Sequence, residues 1–137
     1  MSNDIPRTDV ISADLTLAGF TDSGQKTGHV DLATQLPVGS IVTGWRGDVT
    51  TAFTGASRNV APRLALGTPS KPDAYSASGA QQVDFLQVIG DTPVAGYAAL
   101  GLGETRPVRV TIEDSWDFGR ITAGAITIRV YFIRTEA

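Results

Sequence analysis

Residues 40–53, Ser-Ile-Val-Thr-Gly-Trp-Arg-Gly-Asp-Val-Thr-Thr-Ala-Phe, alternate apolar and polar positions for longer than any other stretch of the chain. On an extended backbone successive side chains point to opposite faces. Ile41, Thr43, Trp45, Val49, Thr51 and Phe53 are therefore expected on one face, and Val42, Arg46, Asp48 and Thr50 on the other. A strand this long with a bulky apolar face needs a second layer to cover it, which points to a layered β protein. Gly44 and Gly47 weaken the strand locally and mark a bulge or a close approach of another backbone.

The rest of the chain repeats the pattern in shorter pieces. Residues 1–9 carry Pro6 and no periodicity, and are expected to form an N-terminal arm. A strand is expected from Val10, with Ile11, Ala13, Leu15 and Leu17 on one face, and a second over residues 29–36. Further strands are expected at 62–67, at 82–89 with apolar residues on both faces, at 97–102, at 107–113 with Val108, Val110 and Ile112 inward, and at 125–134 with Ile126, Ile128, Val130 and Phe132 inward. Residues 68–81, rich in Ser, Ala, Pro and Gly, form a long irregular stretch of the kind that is usually functional or mobile. No segment has a helical period. About eight short strands at near-regular spacing predict an all-β fold, a single-domain antiparallel β-sandwich over residues 10–137, jelly-roll-like, with the extended arm of residues 1–9 before it.

Composition narrows the partners. A chain of 137 residues needs only one core. Charged residues are 18% of the chain, against a usual share of about 25%. Nine of the 11 basic residues are Arg, with Lys26 and Lys71 the exceptions, and interfaces favour Arg over Lys. A net charge of -3 and a pI near 4.9 argue against a nucleic-acid surface, which needs clustered positive charge. With no cysteine there is neither a disulfide framework nor a thiolate metal site. The N-terminal residues lack the basic start and apolar run of a signal peptide, and no apolar run reaches membrane-spanning length, so the expectation is a soluble product made in the cytoplasm, with no membrane partner.

Candidate chemistry is sparse. His29 is the sole histidine, so a Ser-His-Asp triad would have to be built on it, and no Gly-x-Ser-x-Gly elbow accompanies it. One histidine also falls short of the multi-histidine metal site of cupin-type jelly rolls. Residues 101–106, Gly-Leu-Gly-Glu-Thr-Arg, begin like a dinucleotide fingerprint, but Arg106 takes the third glycine position and no helix follows. Glu113, Asp114 and Asp117 supply oxygen ligands suited to Ca²⁺, although carboxylates at strand ends also cap turns. Arg46-Gly47-Asp48 spells a cell-adhesion tripeptide inside a strand, not at a loop tip. Trp45 and Trp116 suit three roles: core filler, interface anchor, or stacking platform for a sugar. Catalytic residues, cofactors and bound metals are therefore expected to be none.

Three fragments, in order, resemble the small virion proteins of tailed bacteriophages. The first is residues 36–45, Leu-Pro-Val-Gly-Ser-Ile-Val-Thr-Gly-Trp, leading into Val-Thr-Thr-Ala-Phe-Thr-Gly at 49–55. The second is Leu-Ala-Leu-Gly-Thr at 64–68, followed by Pro-Asp-Ala-Tyr at 72–75, and the third is Ile-Thr-Ala-Gly-Ala-Ile-Thr-Ile-Arg-Val-Tyr at 121–131. The resemblance implies a β-sandwich head decoration (cement) protein or head-fibre base, sitting on the capsid as a homotrimer, with the major capsid protein as partner, virion location and no enzymatic activity. It casts Ile5, Pro6 and Arg7 as a capsid-contacting arm, and Trp45 and Trp116 as interface anchors. The alternative is a receptor- or glycan-binding module of a fibre or tail.

Overall fold

The computed structural model describes residues 7–55, 62–76, 79–91, 106–114 and 117–134. Among them are nine strands: β1 (Arg7–Thr16), β2 (Thr21–Asp22), β3 (Thr27–Asp31), β4 (Ser40–Gly55), β5 (Arg63–Gly67), β6 (Gln81–Gln82), β7 (Val88–Asp91), β8 (Arg109–Glu113) and β9 (Ile121–Arg134). Two 3-10 turns, Leu17–Gly19 and Phe118–Arg120, precede β2 and β9. The strands form two antiparallel sheets, one of order β1-β9-β4-β7 and one of order β2-β3-β8-β5-β6. The sheets pack as a sandwich, the jelly-roll-like all-β architecture the alternation predicts.

The inner faces carry the alternating apolar sets. Ile126, Ile128, Val130 and Phe132 of β9 are buried between the layers, opposite Val110 and Ile112 of β8 and Leu64 and Leu66 of β5. Each such side chain contributes roughly 1.5–3 kcal/mol relative to exposure. One end of the sandwich is closed by rings: Phe20 meets Phe53 edge-on at 6.2 Å between centroids, and Phe20 meets Phe118 at 6.2 Å. Two glycines make room for this plug. A Cβ on Gly28 would run into the Phe118 ring, and one on Gly124 into the Phe53 ring.

The long strand β4 departs from simple alternation. Val42 pairs with Phe132 and Gly44 with Tyr131, so Thr43 is an extra residue, a bulge that reverses which side chains face inward. Val42 is consequently buried on the same side as Trp45 and Val49, while Ile41 turns to the outside. Gly47 stays within register, packed under Ile126, Ile128 and Ile89.

Several expected boundaries move. β1 begins at Arg7, three residues before Val10, because Arg7, Thr8 and Asp9 pair with Arg134, Ile133 and Phe132 of the long β9. Residues 7–9 thus belong to the sheet instead of a free arm, and Ile5 and Pro6 lie outside the described residues. The strand expected over 29–36 ends at Asp31, and Leu36 makes only an isolated bridge to Arg106. The strand expected over 82–89 is two strands in different sheets. Val83 turns the corner, its N–H donating to Pro62 O at 3.1 Å in one layer and its carbonyl accepting from Phe53 N at 2.8 Å in the other. β9 starts at Ile121, before the expected Ala125. The strand expected over 97–102 lies outside the described residues.

Candidate functional site

Trp45 sits where the two layers meet, 1% exposed, with its indole N–H donating to Tyr75 O at 2.9 Å. Tyr75 comes from the long irregular stretch expected over 68–81, which has no strand before Gln81 among the described residues. It folds back on β5: Tyr75 N donates to Leu66 O at 2.9 Å, and the Ser76 hydroxyl accepts from Leu66 N at 2.6 Å. Apolar Ala74 and Tyr75 drive the return, since both fill the core. Beside them the buried Arg106 guanidinium donates to Ser40 O and lies 3.5 Å from the Tyr75 hydroxyl. Burial pushes the Tyr75 phenol above its ordinary pKa. These polar groups face one another inside the subunit and hold the layers in register. Trp45 is accordingly core filler; it has no exposed face to offer as an interface anchor or a sugar platform. Trp116 lies outside the described residues.

The acidic loop is used locally. Asp114 is fully buried, accepts from Asp117 N at 3.1 Å and faces Arg120 Nη1 at 3.7 Å. Asp117 caps the 3-10 turn, its Oδ1 accepting from Gly119 N at 2.9 Å. Both carboxylates thus serve as caps, and among the described residues no group of three His, Cys, Asp or Glu side chains is placed to hold a metal ion.

His29 lies on the outer face of the five-stranded sheet, in a groove of about 410 Å³ with Arg63, Arg109, Thr111 and Glu113. The register explains the grouping: Thr27, Glu113 and Arg63 form one outward rank, and His29, Thr111 and Ala65 the next. Arg109 is clamped by Asp31, Nε to Oδ1 at 2.7 Å and Nη2 to Oδ2 at 3.1 Å, and this hydrogen bonding holds the Asp31 carboxyl below its usual range. The described lining brings together the His29 imidazole, the guanidinium groups of Arg63 and Arg109, the hydroxyls of Thr27 and Thr111 and the carboxylates of Asp73 and Glu113.

The outer face of the four-stranded sheet is polar at its centre. Its central ranks are charged: Arg46 Nη2 and Arg129 Nη1 each reach Asp48, at 3.0 Å, and Thr127 Oγ1 donates to Asp14 at 2.7 Å. The hydrogen bond from Arg46 is the main reason the Asp48 carboxyl sits below its ordinary value. Arg46-Gly47-Asp48 is therefore a strand segment closed by its own ion pair. Exposed apolar side chains occur on the sheet's outer strands, at Val10 and Val88, and in the adjoining turns, at Val38, Phe85 and Leu86. Val10, Val38, Phe85, Leu86 and Val88 are the large hydrophobic side chains left exposed among the described residues. Phe85, Leu86 and Val88 escaped sequence reasoning, which placed them in a two-faced buried strand; the signal was Asp84 inside the apolar run, with Gln81-Gln82 before it and Gln87 within it.

No protein-family model matches the chain, and no curated protein matches it. Solved structures do. A chain of the cyanophage Pam1 capsid asymmetric unit is similar with a TM-score of 0.60 at 18% identity, over 94% of this chain and 86% of that one. The capsid of Ralstonia phage GP4 aligns with a TM-score of 0.49 at 12% identity, over 98% of this chain and 90% of that chain, and FLHE with 0.47 at 11%, over 91% and 96%. At these identities the likeness to the Pam1 chain is one of fold.

Proposed function

We propose that this chain is a non-enzymatic structural protein of a phage virion, binding the outside of the capsid as a decoration or cement protein. It acts as a homotrimer, with the major capsid protein as its partner, and is made in the host cytoplasm before joining the virion. The observation that carries this reading is the match of nearly the whole chain to a chain of the Pam1 capsid asymmetric unit. The side-chain arrangement supports it: Trp45, Tyr75, Arg106 and Asp114 are consumed within the subunit, leaving the sheet faces and edges to act. A capsid presents shallow, repeated surface at its symmetry axes, and a rigid two-layer body with several weak contacts binds it through effective concentration. Ile5, Pro6 and Arg7 would supply the contact with the capsid.

The test uses phage heads lacking this protein. Purified protein added to them should co-sediment to saturation and raise the temperature at which the shells open. Heads that bind none of it would remove the proposal.

A further inference from the structure

Two small residues make the outer face of the five-stranded sheet concave. At the end of β5, Lys71 O and the Pro72 carbonyl occupy the space a Cβ on Gly67 would need, so the chain after the strand folds across it and raises a wall. Ala65, one rank away, keeps the floor low between that wall and Arg63. The resulting groove of about 410 Å³ falls within the range of small-molecule sites, about 300–1,000 Å³.

Polar groups that converge on the groove are left for a ligand. Around it, Arg109 is held by Asp31 and Lys71 lies against Asp73. Inside it, the side chains of Arg63, Glu113 and His29 make no hydrogen bond or salt bridge among the described residues. Arg63 and Glu113 are direct cross-strand partners, which places their Cβ atoms about 4.5–5.5 Å apart. His29 is diagonal to Glu113, about 7–8 Å away, so one small molecule can reach all three.

The charge balance selects the ligand. Arg63 lies beside Glu113, Arg109 beside Asp31 and Lys71 beside Asp73, three cations against three carboxylates. An anion held by Arg63 would meet Glu113, and a cation held by Glu113 would meet Arg63. A hydroxyl both donates and accepts, so a ligand with several hydroxyls satisfies the guanidinium, the carboxylate and the imidazole together. Ala65 and Pro72 supply apolar contact for the C–H face of a ring.

We propose that this groove binds a neutral saccharide unit, with hydroxyls shared between Arg63 and Glu113 and a further hydroxyl on His29. The site requires neither the capsid nor the trimer of the proposed function. An array of neutral and acidic glycans probed with the labelled full chain should show binding to neutral saccharides. In amide NMR titrations of the same protein, glucose, galactose, mannose and N-acetylglucosamine are the free probes. At least one should move the signals of residues 27–31, 63–67 and 109–113 and leave those of 126–132 in place. Arg63→Ala and Glu113→Ala, both at exposed positions, should each weaken that binding about tenfold or more, because each removes hydrogen bonds to a charged group. Ala65→Leu fills the floor without changing charge and should weaken it likewise, whereas Arg46→Ala on the other sheet should leave it unchanged. Circular dichroism confirms that each variant folds, and the titration of the unaltered protein stands without them. Array binding confined to acidic glycans, or no binding on the array together with no shift from any of the four sugars, would overturn the inference. So would shifts confined to the four-stranded sheet, inorganic phosphate moving the groove signals more than the sugars at equal concentration, or folded groove variants that bind as tightly as the parent.

Discussion

Trp45 shows how one side chain can join two layers. Its ring fills the core of the four-stranded sheet while its N–H satisfies the Tyr75 carbonyl, which belongs to a segment returning from the other layer. Trp45→Phe keeps most of the volume but leaves that buried carbonyl unpaired, and should cost about 1–3 kcal/mol. Trp45→Ala adds a cavity and should cost about 3–5 kcal/mol. Denaturant unfolding of the two variants measures both values; a Trp45→Phe cost near zero would mean that the hydrogen bond contributes nothing, and equal costs would mean that the ring adds nothing beyond it. Charged residues add a pH dependence with a fixed sign. Asp31 and Asp48 are held below the ordinary carboxylate value mainly by hydrogen bonds from Arg109 and Arg46. Stability from a lowered carboxylate is complete above the unfolded value, near pH 4, and is lost as pH falls through the lower folded value. Melting temperature should therefore fall as pH is lowered below about 4, and the fall should shrink in a variant carrying Asp31→Asn and Asp48→Asn together. The effect is modest because both pairs are largely in water.

At the scale of elements, β9 is the organising strand, paired along its length with β1 on one side and β4 on the other. Amide hydrogen exchange should be slowest in residues 126–130 of β9 and the facing part of β4, and fast in β2 and β6, which have two residues each. Exchange as slow in β6 as in β9 would contradict the arrangement. Strands that alternate cleanly were legible from the sequence: Val108, Val110 and Ile112, and the set from Ile126 to Phe132, are buried where the alternation places them. The bulge at Thr43 was not, because an extra residue in β4 is defined only by the strand it fails to match. The split of 82–89 was hidden for a related reason. Val83 and Ile89 are buried in different layers, and no local pattern says that a chain changes sheets between them. The irregular course around Tyr75 was legible from the small residues there, but its burial was not, because no local pattern marks one large ring as the anchor of a loop.

For the whole molecule, the division is between an interior that uses its aromatic and ionic groups on itself and an exterior with exposed apolar side chains beside a charged centre. Reaction chemistry needs convergent ionisable groups around a bound substrate. Here the buried Arg106 meets the Tyr75 hydroxyl and the Ser40 carbonyl, Asp114 binds Asp117 N and faces Arg120, and the ionisable groups of the His29 groove lie on the outer face of the five-stranded sheet. Leu86→Asp, at an exposed position in the bend between β6 and β7, should change unfolding free energy by less than about 0.5 kcal/mol, as measured by denaturant unfolding. The account is tested most directly by electron cryomicroscopy of phage heads to which the protein has been added back. It predicts density for this fold on the outer surface of the shell, in groups of three around a local three-fold axis. Density inside the shell, on the tail alone, or as scattered single copies would contradict it.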